Sequence, residues 1–105
     1  MVTTLIEESA VGKHWVEEVF RQLADEYHVA AGDLRWRDDY PGAYVSSLCF
    51  RVYDAHATES IEFPMYRLEA CANPADRATR ALIRDQISWY LAKWREQVGQ
   101  AEKRP

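Results

Sequence analysis

Apolar positions recur three and four residues apart from Val11 to Tyr27, every second residue through much of Leu34 to Ala70, and at helical spacing again from Pro74 to Val98. The implied order is helix, three strands, helix. In the first stretch Val11, Trp15, Val16, Val19, Phe20, Leu23 and Tyr27 cover about half the helix circumference at about 100° per residue, and Lys13, Glu17, Glu18, Arg21 and Asp25 fill the remainder. Thr4-Leu5-Ile6-Glu7 fits a capping box, which predicts a start near residue 5. Gly12 weakens the early turns and leaves Ser9 as a second start, while Ala30, Ala31 and Gly32 predict the end.

Leu34 and Trp36 alternate with Arg35 and Arg37 as a short first strand, and Asp38 to Gly42 reads as a turn around Pro41. From Tyr44 to Tyr53 the alternation is cleanest, with Tyr44, Leu48, Phe50 and Val52 on one face and Val45, Ser47, Cys49, Arg51 and Tyr53 on the other. Asp54 to Glu59 reads as a polar connection. A third strand begins Ile61-Glu62-Phe63, but Pro64 has no amide for a ladder and the apolar phase shifts to Tyr66, Leu68 and Ala70. A bulge or an edge strand is therefore expected at Pro64.

Asn73-Pro74 predicts the last helix start, with Asn73 as cap, Pro74 in the first turn and Asp76 at the positive end of the dipole. Ile83, Ile87, Tyr90, Leu91, Trp94 and Val98 make one apolar stripe, and Ala75, Ala78, Leu82 and Trp89 a second, about 120° away. The fold class is α+β: a helix, a three-stranded antiparallel sheet and a helix, with both helices on one sheet face. The expected core is Trp15, Val19, Phe20, Leu23, Leu48, Phe50, Ile83, Ile87 and Trp94. The chain, 1–105, reads as a single domain with 100–105 as a frayed polar tail.

Composition changes this picture little. A chain of 105 residues, 48% hydrophobic with four Trp and six Tyr, suits one packed core. Met1 to Ala10 lacks the basic-then-apolar pattern of a secretory signal, no segment approaches the about 20 apolar residues of a membrane span, and a cytoplasmic location is expected. Cys49 and Cys71, without CxxC spacing, read as free thiols.

His14 and Glu18 sit four apart, a spacing at which two groups can share a metal, yet two ligands do not make a site. No Ser lies in a glycine elbow, no His is expected beside Cys49, and the glycines are scattered. No catalytic, cofactor-binding or metal-binding residue is assigned. Charge is more informative: residues 1–32 hold two basic and six acidic groups, 33–72 four and seven, and 73–105 seven and four. The last helix is thus the basic element, and Arg77, Arg84 and Arg95 on one side of it, with Arg80 nearby, are candidate anion or nucleic-acid contacts. The simpler reading is a solvated face whose arginines pair with acidic neighbours.

In element order the chain resembles the double-stranded RNA-binding domain, where the start of the second helix contacts phosphates and where Arg77, Arg80 and Arg84 would fall. That family's lysine-rich helix start and Gly-Pro-x-His loop have no counterpart here. The loop is Asp39-Tyr40-Pro41-Gly42, and Glu17, Glu18, Asp25 and Glu26 would repel a phosphate backbone.

Two surfaces are surplus to a single core. One is the uncovered sheet face with Val45, Cys49 and Tyr53; the other is the Leu82/Trp89 stripe. Either could build a symmetric homodimer. The expected function is a non-enzymatic adaptor or regulator that works through a binding surface and self-associates. The alternatives are nucleic-acid binding through the last helix and a small enzyme whose site gathers distant residues.

Overall fold

A computed structural model describes the backbone of residues 2–38 and 44–102 and the side chains of 9–38 and 44–99. The elements run α1 (Val2–Glu26), β1 (Ala31–Arg37), β2 (Val45–Val52), β3 (Ala57–Pro64), α2 (Met65–Cys71) and α3 (Arg77–Glu102). All three strands are antiparallel in the order β1-β2-β3. The expected fold class holds, with one helix more than the sequence pattern implied.

The register divides the residues between two faces. Leu48 pairs with Trp36 and Ile61, and Ser46 pairs with Phe63; with Phe50 and Val52 they line the face under the helices. Phe20 of α1 meets Phe50 with ring centroids 4.8 Å apart. Ile83, Ile87 and Leu91 of α3 join the same wholly buried core. Val19, Phe20, Leu23, Leu48 and Phe50 are buried as expected, whereas Trp15 and Trp94 only pack against the core's rim. The molecule is 16 Å across its shortest axis, room for a sheet and one layer of helices.

Several boundaries differ from the sequence expectations. Helix α1 already runs from Val2, so Thr4 lies inside it and not at its cap. The helix stops before Ala30 because His28 adopts φ 56°. His28 N donates to Asp25 O at 3.1 Å and Val29 N to Ala24 O at 2.9 Å, which closes the last carbonyls in a Schellman motif. Ala31 and Gly32 then open β1. Strand β3 begins at Ala57, so Thr58 and Glu59 belong to the ladder.

Pro64 ends an edge strand, as its missing amide requires, but the chain then turns directly into α2. Tyr66, Leu68 and Ala70 are helical, and Leu68 and Cys71, three apart, are its buried side chains. Asn73 does not cap α3: its Oδ1 accepts from Ala75 N at 3.0 Å in a tight turn of its own. Asp76 is the cap, accepting from Thr79 N at 3.0 Å, and the helix starts at Arg77. At its far end α3 reaches Glu102, so Gln100 to Glu102 are helical and not frayed tail; the turn expected at 39–42 and residues 103–105 lie outside the described residues.

Gly12 is where α1 and α2 touch. A Cβ there would stand 1.7 Å from Leu68 O, and Cys71 Sγ donates to Gly12 O at 3.7 Å as well as to Leu68 O at 3.3 Å. Helix α3 is tied to the β3 edge by Gln86 Nε2, which donates to Glu62 O at 2.9 Å. Glu59 Oε2 accepts from Trp94 Nε1 at 2.9 Å and from Lys93 Nζ at 3.3 Å. These bonds occupy part of an edge that is otherwise open to pairing.

Candidate functional site

The face of the sheet away from the helices carries the odd-numbered residues of β2 and their partners. Cys49 sits at its centre, paired with Arg35 on β1 and Ser60 on β3. One rung along, Arg51 faces Gly32 and Thr58; one rung the other way, Ser47 faces Arg37 and Glu62. Arg35, Arg37 and Arg51 are exposed at three of these positions, whereas Ser47 beside Arg37 is buried. Val45 and Cys49 are half-buried and Tyr53 is exposed, so the face combines this partly apolar surface with the guanidinium groups and the carboxylate of Glu62.

The register slips by one residue between Gly32 and Arg35, so Asp33 and Leu34 together oppose Phe50. Asp33 takes φ 56° in this bulge, and His56 takes φ 50° in the turn between β2 and β3. Both line a cavity of about 310 Å³ together with Arg35, Cys49, Arg51 and Thr58. A second cavity of about 240 Å³ shares Cys49 and Thr58 and is walled by Arg37, Glu59 and Ser60. Among the described residues Arg35 and Arg51 make no ion pair. The hairpin turn places His56 in the lining of the same cavity as Cys49.

The arginines of α3 divide differently. The Arg80 guanidinium lies 4.6 Å from the Trp15 ring centroid while its Nε donates to Cys71 O at 2.9 Å; Arg84 lies 5.6 Å from the same ring. These two hold α3 against α1 and α2. Arg77 and Arg95 are exposed. The added α2 also separates the chain's element order from that of the double-stranded RNA-binding domain.

On the outer side of α3, Leu82 is 55% and Trp89 61% exposed, with exposed Ala78, Ala81 and Ala92 around them. Trp89 meets Tyr90 edge to face at 4.9 Å, and Lys93 stands 5.7 Å from each of the two rings. Both side chains are mostly open to solvent, so the stripe does not serve as a packing face for α1.

Elsewhere, a cavity of about 490 Å³ lies beside α2, lined by Tyr66, Glu69, Ala70, Ala72, Asn73 and Asp76, two of which are already committed to turns and caps. His14 Nε2 stands 3.1 Å from Glu18 Oε1 on an exposed face. Among the described residues no group of three His, Cys, Asp or Glu could hold a metal ion, and no helix is long and apolar enough to cross a membrane. Cys49 and Cys71 are both free thiols. Cys71 is wholly buried, and burial pushes its thiol up to about 11 against the opposing charge of Arg80. On the opposite rim Ser46 donates to Asp38 Oδ1, and this bond, helped by Lys13 Nζ at 3.2 Å, holds the Asp38 carboxyl below its ordinary value. No family model, curated protein or solved structure matches the chain.

Proposed function

We propose that the protein is a binding module that self-associates through the outer stripe of α3. The observation that supports this reading is the pair Leu82 and Trp89, both more than half exposed on a helix whose other stripe, Ile83, Ile87 and Leu91, is wholly buried. A second copy is the occupant that suits the stripe best. A two-fold axis between residues 85 and 86 sets each Leu82 against the partner's Trp89, with Asp85 opposite the partner's Gln86 at the centre.

Burying the exposed parts of four such side chains stabilises the pair by about 4–6 kcal/mol, on the order of the cost of association itself. The dimer is accordingly weak, with a dissociation constant on the order of 1 mM or above. Sedimentation up to millimolar concentration tests it. The mass should climb from the 12.2 kDa of one chain toward twice that value. Trp89→Lys, still folded by circular dichroism, should stay monomeric. A monomer at the highest concentration, or a Trp89→Lys variant that dimerises as well as the parent, would overturn the reading.

A further inference from the structure

We propose that the open sheet face is a binding site for a small soluble phosphate monoester, held by Arg35, Arg51 and Thr58 over Cys49. The inference is independent of self-association through α3, which lies on the other layer.

Charge is the first argument. The chain carries a net charge of −4, yet its outer sheet face presents three guanidinium groups on adjacent strands, against the carboxylates of Glu62 and of Asp33 in the bulge. Two of them, Arg35 and Arg51, line one cavity and make no ion pair among the described residues. Like charges gathered this closely repel, and an oxyanion between them relieves the repulsion.

The number of donors selects the ligand. A single guanidinium fork already saturates a planar carboxylate. Two forks and the Thr58 hydroxyl converging on one cavity match a group with three acceptor oxygens, which a phosphate monoester supplies. The bulge and the hairpin turn add a different chemistry to the same cavity, where Asp33 and His56 can accept from and donate to hydroxyls of the organic part. A volume of about 310 Å³ lies at the small end of ligand cavities and suits a compact molecule.

Cys49 supplies a reporter inside the site. Cys71 is wholly buried and hydrogen-bonded, so a soluble thiol reagent applied to the folded protein labels Cys49 alone. The probes are inorganic phosphate and glycerol 1-phosphate, with sodium chloride at matched ionic strength as the control. At a probe concentration about four times the dissociation constant, labelling of Cys49 should slow about fivefold, with glycerol 1-phosphate effective at lower concentration than phosphate. Arg35→Gln and Arg51→Gln should each lose most of this protection ratio, measured against the same variant without ligand, while Arg77→Gln on α3 should keep it. Equal protection by chloride would overturn the site. Protection by vesicles containing phosphatidic acid, or by an oligonucleotide, without protection by glycerol 1-phosphate would overturn the assignment to a small soluble ester. Retention of full protection in both arginine variants would overturn the role of the two guanidiniums.

Discussion

The same substitution, glycine to alanine, should act with opposite sign at two helical positions. In α1 a Cβ on Gly12 lands 1.7 Å from Leu68 O and 2.7 Å from Leu68 C, both backbone atoms of α2. A carbon needs about 3.3 Å from a carbonyl oxygen, so the two helices must part by about 1.5 Å. A gap of that size forfeits roughly half the packing of the wholly buried Leu68 and Cys71, about 2 kcal/mol together. Residual strain adds about 2 kcal/mol, and alanine's better helix propensity returns about 1 kcal/mol. Gly12→Ala is therefore expected to cost about 3 kcal/mol and to lower the melting temperature by at least about 10 °C. In α3 a Cβ on Gly99 meets nothing within 4 Å, so Gly99→Ala should gain a few tenths of a kcal/mol near the helix end. Thermal denaturation of both variants by circular dichroism makes the comparison. A Gly12→Ala protein that melts at or above the parent would refute the backbone contact between α1 and α2.

Ile87→Asp buries a carboxylate without a partner at a wholly buried position and should leave the chain unfolded at 25 °C by circular dichroism, whereas Leu82→Asp, on the exposed stripe, should fold. The folded protein keeps the Cys71 proton up to about 11 while the unfolded chain releases it near its ordinary value. Stability should therefore fall as pH rises from about 9 to 11, and Cys71→Ala should show a shallower fall in denaturant midpoints over that window. Asp38 is held below its ordinary value, so its small share of stability is present above the unfolded value and lost as pH falls through the folded one. Ser46→Ala removes the largest cause, and the Asp38 titration followed by NMR should move up toward an unperturbed carboxylate.

Strand β2 was legible because Leu48, Phe50 and Val52 alternate strictly, and the long helices because their stripes persist over several turns. Helix α2 was not. In seven residues Tyr66, Leu68 and Ala70 alternate as a strand would, and only the burial of Leu68 with Cys71 reveals the helical period. The end of α1 was misplaced because a histidine, not a glycine, takes the left-handed position. Asn73 and Asp76 are both good caps three residues apart, and only the hydrogen bonds tell which one starts α3. The sheet site escaped for a different reason. Read along β2 alone, Val45, Cys49 and Tyr53 suggest an apolar face; the arginines beside them come from the register with β1, which no local pattern encodes.

The bulge in β1 separates scaffold from site. Were Asp33 removed, Gly32 and Arg35 would still pair with Arg51 and Cys49, Leu34 would stand opposite Phe50, and every side chain would keep its face. The residue is surplus to the ladder. A chain shortened by that one position would retain the same hairpin and the same core while losing the carboxylate and the left-handed kink that shape one wall of the cavity. Insertion and deletion at this point are therefore a route by which the sheet's outer face can change its ligand while its inner face stays the same.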